Sequence, residues 1–204
     1  MVENIKEFKN KHKGKLAFLI GAGPSLYNIN IDFEKYITIT VNSGILKYPT
    51  CNYFVSDDKG IANWSYYRNV LSKQKCIKFL YKDKLEKSKE ELENVILFSH
   101  TWWYSPKNNE YNLEGLRLTK HEPIIGARTS LGSAVHIAYI MGCNPIVLLG
   151  NDCCIKGGKR YFWQYWDKEK QPYRISGTRF SYRTQKIGFD SKSFQEYDAY
   201  CGSC

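Results

Sequence analysis

Lys15-Leu16-Ala17-Phe18-Leu19-Ile20 runs directly into Gly21-Ala22-Gly23-Pro24-Ser25-Leu26. The first six residues are a short, almost continuous apolar run. A strand covered on both faces reads this way, whereas a half-exposed one alternates. The glycines that follow form a tight turn, and Pro24 and Ser25 suit the first turn of a helix. Strand, glycine turn and helix start together open an α/β domain. Glycine also lets a backbone approach an anion, and amides at a helix start bind phosphate. Gly21, Ala22, Gly23, Pro24 and Ser25 are therefore expected at a nucleotide's phosphate. The turn is neither a Walker A loop, since no Gly-Lys-Ser/Thr follows, nor a full G-x-G-x-x-G, since Leu26 fills the last place.

Downstream the same alternation repeats. Residues 36–41 (YITITV), 53–56 (YFVS), 76–80, 95–98 and 145–149 (PIVLL) read as strands. Residues 63–71 read as helical, residues 84–93 as a charged surface helix, and residues 1–13 as a short polar helix. Residues 130–142 give the clearest helix: Ala134, Ile137, Ala138 and Met141 recur at helical spacing, and Gly142 stops it. Residues 101–123 carry aromatics, Asn and charge with little periodicity, and read as loop or lid. The expected fold is α/β and Rossmann-like: a mostly parallel sheet, helices on both faces, and a C-terminal lid segment. Residues 1–155 form the core of this reading. Residues 156–204, basic and aromatic, form the lid and tail of the same domain.

The chain has 204 residues, 43% hydrophobic, enough for one packed domain. It has no apolar run of about 18 residues and no signal-peptide core, so a cytoplasmic protein without a membrane span is expected. The formal charge of +10 suits an anionic partner: a nucleotide, a phosphorylated substrate or nucleic acid. Of seven cysteines, Cys51, Cys76 and Cys143 lie by apolar segments and read as small core residues. Cys201 and Cys204 have half the ligands of a zinc site, and no metal is expected there.

Ligands of open α/β sheets gather at the carboxyl ends of the strands. Four places qualify. The glycine turn is the first. Asn42 and Ser43 end the second strand. Asp57 and Asp58 end the third. Thr129 and Ser130 open the long helix, beside Gly150, Asn151 and Asp152 after the last strand. Of four histidines, His136 falls in the core helix pattern, while His100 and His121 flank the irregular segment and are candidate bases.

In order and spacing, GAGPSL, VNS, SDD, the Thr-Ser helix start and MGCNPIVLLGND resemble one superfamily. Its branches are the bacterial sialyltransferases that use CMP-sialic acid and the 6-hydroxymethylpterin pyrophosphokinase-like family, which includes motility accessory factor-like proteins. The likeness spans about residues 15–161. It implies Gly21, Gly23 and Ser25 near a donor phosphate, Asn42, Asp57 and Ser130 at the nucleoside or transferred group, and Tyr161 steadying the leaving phosphate. The chain departs from the sialyltransferases at Ala22, at Cys154 and in having no histidine after His136. Three functions follow as expectations: a glycosyltransferase with a nucleotide-sugar (CMP-sugar-like) donor; an ATP-dependent pyrophosphokinase acting on a pterin-like alcohol, with Mg²⁺ on Asp57, Asp58 and Asp152; and a non-catalytic nucleotide or nucleic-acid binding module.

Overall fold

The computed structural model describes residues 5–58, 61–82, 92–101, 104–105, 110–111, 124–125 and 129–173. Six parallel strands make one sheet: β1 (Ala17–Ile20), β2 (Ile37–Val41), β3 (Tyr53–Ser56), β4 (Ile77–Tyr81), β5 (Val95–Phe98) and β6 (Ile146–Leu149). Their order is β6-β1-β2-β3-β4-β5. The chain thus steps outward from β1 to β5, then returns across the sheet to lay β6 on the other side of β1. In register, Ala17 pairs with Ile37 on one side and Ile146 on the other. The carboxyl ends of β1 and β6 form the topological switch point, where a crevice opens in such sheets. The fold is α/β and Rossmann-like.

Both faces are covered. On one, α2 (Ser130–Ile140) packs Ala134, Ile137, Ala138 and Met141 against Leu19, Ile39 and Val55. On the other, α1 (Ser65–Asn69) packs Tyr66 and Tyr67 with Phe54, Leu71 and Leu80. α1 is shorter than the helix expected over residues 63–71, because 3₁₀ turns at Ile61–Asn63 and Leu71–Lys73 flank it. The expected polar helix at the N-terminus is one 3₁₀ turn, Ile5–Phe8. It is held by Ile5 and Phe8, three apart and each 1% exposed, under α2. The segment after it bonds the end of α2: Asn10 N–H donates to Ile140 O, His12 N–H to Met141 O and Gly14 N–H to Gly142 O.

The stretch read as a loop over residues 101–123 has two short ladders at its ends. His100–Thr101 pairs in parallel with Ile124–Ile125, and Tyr104–Ser105 pairs antiparallel with Glu110–Tyr111. The helix expected over residues 84–93 lies almost wholly outside the described residues. Among the described residues no helix is long and apolar enough to cross a membrane. Cys51, Cys76 and Cys143 are buried as free thiols, and His136 is a buried member of α2. Cys201 and Cys204 lie outside the described residues.

The described part of the expected lid, residues 156–173, is anchored to the core by two buried rings, Phe162 and Trp163. Lys156 and Lys159 pair across a tight Gly157-Gly158 turn. The chain then forms a 3₁₀ turn, Phe162–Tyr165, whose Phe162 is fully buried with Ile20, Leu26 and Phe33. Phe162 N–H donates to Ala22 O, and Tyr173 and Ser65 exchange two hydrogen bonds. The segment is a strap fixed from the glycine turn to α1. Its two aromatic anchors are buried hydrophobic area, which holds it shut.

Candidate functional site at the switch point

β2 leaves the sheet abruptly. Asn42 takes φ 49°, a left-handed conformation that Asn tolerates, and opens the 3₁₀ turn Asn42–Leu46. That turn passes directly against the end of β1: a Cβ on Gly44 would lie 2.5 Å from the carbonyl oxygens of both Ile20 and Gly21. Only glycine allows this approach, and it is what sets Asn42 and Ser43 beside the glycine turn.

A cleft of about 240 Å³ opens there. Gly21, Ala22, Asn42 and Ser43 form its floor, with Asn151 from the β6 side. The first turn of α2 supplies Thr129, Ser130 and Leu131, and Asp58 stands at the end of β3. Trp64, Tyr66, Tyr161 and Trp163 make its walls. The volume falls below the roughly 300–1,000 Å³ of a complete small-ligand site.

The aromatic walls are rigid. Tyr161 stacks on Trp163 with centroids 5.0 Å apart, and Trp163 meets Trp64 edge-on at 6.2 Å. The Trp163 indole N–H donates to Ser43 Oγ at 3.0 Å. Gln164 Oε1 accepts from the amides of Arg160 and Tyr161, which fixes the approach of that turn. The Arg160 guanidinium lies 5.5 Å over the Tyr161 ring, bringing positive charge to the rim.

At the start of α2, Thr129 is the N-cap and accepts from the Gly132 amide at 3.1 Å. Ser130 Oγ donates to Asp57 Oδ1 and accepts from the Asp57 amide, while Ser133 Oγ donates to Asp57 Oδ2 at 3.0 Å. Asp57 is thus clasped by the helix start, its negative charge set against the positive end of the dipole. Because the one proton of Ser130 goes to Asp57, its oxygen accepts from Asn42 Nδ2 at 3.4 Å. This orients the Asn42 amide and leaves Asn42 Oδ1 buried without a partner among the described residues. Such an acceptor favours a ligand N–H or O–H. Ser130→Ala would strand the Asp57 amide and Asp57 Oδ1, leaving Ser133 on Oδ2. It should cost about 1–3 kcal/mol in urea unfolding; an unchanged midpoint would remove the clasp from this account.

The glycine turn differs from its expected role. Gly21 N–H donates to Leu149 O and Gly23 N–H to Gly150 O at 2.6 Å. Ser25, expected at a phosphate, gives both its amide (2.9 Å) and its hydroxyl (2.8 Å) to Asp152 Oδ2. Asp152 Oδ1 also takes Lys156 Nζ at 2.6 Å. The turn's donors therefore bind the end of β6, and the chain's own carboxylate occupies the anion position. Pro24 is buried at the head of the 3₁₀ turn Pro24–Asn28, and Gly150 (φ 64°) lies behind the turn.

Burial alone would raise the Asp152 carboxyl. The Lys156 ammonium and the two Ser25 donors outweigh it and hold the group below the ordinary 3.8. A lowered folded-state value means the charged form stabilises the fold above about pH 4, and that contribution is lost as pH falls through the lowered value. Asp152→Asn should therefore show a shallower loss of stability between neutral and acid pH than the parent. Parallel curves by thermal unfolding would contradict this.

The structure separates the three carboxylates proposed for Mg²⁺. Asp57 is clasped by α2, Asp152 by Ser25 and Lys156, and Asp58 alone of the three lines the cleft. Among the described residues no three His, Cys, Asp or Glu side chains cluster to hold a metal ion. Of the candidate bases, His100 follows β5 directly and His121 lies outside the described residues. His12 bonds Tyr53 Oη at 2.7 Å at the far, amino edge of the sheet. Trp64, Tyr66 and Leu131 joined the site without being singled out from the sequence, whereas Trp163 reads there as a ring able to stack a sugar or base. For Trp64 and Tyr66 the legible signal was an aromatic pair soon after a strand's carboxyl end.

Compared with known proteins, the chain matches no protein-family model and no curated protein.

Proposed function

We propose that the chain is a nucleotide-dependent transferase, and that it transfers a glycosyl group from a nucleotide-sugar, CMP-sugar-like donor seated in the switch-point cleft. One observation carries this reading. Residues from five separate segments, Gly21–Ala22, Asn42–Ser43, Asp58, Thr129–Ser130 and Tyr161, converge on one cleft at the carboxyl edge of the sheet. The aromatic walls suit the flat face of a base or sugar, and Asn42 Oδ1 accepts its N–H or O–H.

The seat for phosphate is the α2 start, which Thr129 caps; Asp57 already sets one negative charge against the dipole there through the Ser130 and Ser133 hydroxyls, so a phosphate would use the first-turn amides of Ser130 and Leu131. Glycosyl transfer breaks the bond between sugar carbon and phosphate oxygen and leaves charge on that oxygen. Donors already in place stabilise it without reorganising. Tyr161 is the side-chain donor at the rim. The separation of Asp57, Asp58 and Asp152 favours this metal-free chemistry over pyrophosphoryl transfer, which concentrates charge that Mg²⁺ usually neutralises.

Tyr161→Phe tests the assignment because it keeps the ring stack on Trp163. With a nucleotide-sugar donor, kcat should fall by about tenfold to a hundredfold while KM changes little, since a bond made mainly to the departing phosphate acts in the transition state. Unchanged turnover would reduce Tyr161 to a packing residue. Nucleotide binding that requires Mg²⁺ would favour the pyrophosphokinase reading instead.

A further inference from the structure

The opposite, amino edge of the sheet carries a cluster that the cleft does not use. Lys78, the second residue of β4, is fully buried. Its ammonium donates to the carbonyls of Gln74 (2.7 Å), Cys76 (3.0 Å) and Glu93 (3.0 Å). Carbonyl dipoles satisfy its three protons; burial opposes its charge, and the two neighbouring thiols and the Glu93 carboxylate partly offset that cost. Two free thiols share its surroundings. Cys76 lies two residues before Lys78 on the same face of β4, and Cys51 precedes β3 in the same apolar cluster.

The two cysteines approach across neighbouring strands. Ile77 N–H donates to Asn52 O at 3.2 Å, and Tyr53 pairs with Ile77, so Asn52 lies opposite Cys76 and Cys51 is one residue diagonal to it, with both thiols in the same apolar cluster. Strands about 4.8 Å apart, with a one-residue offset of about 3.3 Å, still fall within the Cα separation a disulfide spans. Thr40 Oγ1 touches Cys51 Sγ at 3.1 Å and helps hold that sulfur. The thiols are 7% and 9% exposed; Cys51 lines a groove of about 420 Å³ with Thr38, Thr50, Asn52 and Tyr48, which brings a small molecule to the Cys51 side of the pair, with Cys76 behind it.

We infer that Cys76 and Cys51 form a redox-modification site, in which Cys76 is the nucleophile, Cys51 resolves it, and a small hydroperoxide is the oxidant. The hydrogen bond from Cys51 lowers the Cys76 thiol against the opposing effect of burial, with help from the Lys78 ammonium. The same contact with Cys76, and burial, raise Cys51, which keeps its proton until needed. Thiolates beside cations are the reactive ones. The Cys76 sulfur attacks the outer peroxide oxygen, the O–O bond breaks, and the departing alkoxide takes the thiol proton. Cys76 is then a sulfenic acid. The Cys51 sulfur attacks it, the S–O bond breaks, and hydroxide leaves with the Cys51 proton as water. Two thiols and one hydroperoxide give one disulfide, one alcohol and one water.

The test treats the full chain with hydrogen peroxide, blocks remaining thiols and maps peptides by mass spectrometry. A Cys51–Cys76 disulfide should form well before Cys143, buried with no such cation in contact, is modified. In Cys51→Ser, oxidation should stop at a Cys76 sulfenic acid that a dione reagent captures. Lys78→Met keeps the aliphatic stem and should slow Cys76 oxidation about tenfold, as loss of a neighbouring cation slows thiolate chemistry. Cys76 and Cys51 still reduced when Cys143 is consumed, or pairing only with other cysteines, would overturn the proposal. So would a folded Lys78→Met that oxidises at the parent rate. The parent's map decides even if that variant does not fold.

Discussion

Gly23→Val is expected to lose about 3 kcal/mol of stability or more, before any ligand is considered. A Cβ on Gly23 would meet Asp152 Oδ2, and would stand 2.7 Å from Gly150 O and 3.0 Å from the Asp152 amide. Two of these are backbone atoms of the β6 end, held by Gly23's own bond to Gly150 O. They cannot yield without parting β1 from β6. Overpacking of a fitted site commonly costs about 1–3 kcal/mol, and a branched side chain against backbone lies at or beyond the top of that range. From sequence, valine here would block phosphate and spare the fold. The geometry instead makes Gly23 a packing residue. Denaturant unfolding checks this: a midpoint equal to the parent's would mean that the β1 and β6 ends are not locked together.

Trp163→Ala is expected to cost about 3–5 kcal/mol, the usual toll for emptying a large buried aromatic site. The indole is 8% exposed, stacks Tyr161, touches Trp64 and donates to Ser43. Its loss empties one wall of the cleft and leaves the Tyr161 ring without its stack. Two readouts should therefore move together: the unfolding midpoint and nucleotide affinity. Trp163→Phe keeps most of the ring and should recover much of the stability, but not the bond to Ser43. If Trp163→Ala unfolds like the parent, residues 156–173 are not fixed to the core.

The sheet was legible because buried parallel strands are written as short apolar, β-branched runs. Residues 53–56 and 95–98 were read at the bounds the structure has. α2 was legible from its spacing, its Thr129 cap and Gly142. The N-terminal turn was read as polar because two buried side chains, Ile5 and Phe8, sit among lysines and glutamates, where a two-residue stripe is faint. The strap was read as a lid over the ligand because a basic, aromatic composition does not show which of its rings, here Phe162 and Trp163, are buried against the core.

At the site, the sequence marked which loops matter but not which atoms remain available. Asp57 and Asp58 are adjacent and chemically alike; only the position of α2 decides that Asp57 is clasped and Asp58 reaches the cleft. Ser25 and Asp152 are 127 residues apart, and no local pattern pairs them. The orphaned Asn42 oxygen likewise follows from a proton assignment that runs through Ser130 to Asp57.

The central claim is that the switch-point cleft binds a nucleotide without metal. Isothermal titration of CMP and other nucleoside monophosphates in the presence of EDTA, into the parent and into Tyr161→Ala, tests it most directly. The account predicts saturable one-to-one binding to the parent that Mg²⁺ does not alter, weakened by about tenfold or more in Tyr161→Ala through loss of one stacking wall. A parent that binds none of these nucleotides, or a Tyr161→Ala variant that binds them as the parent does, would contradict it.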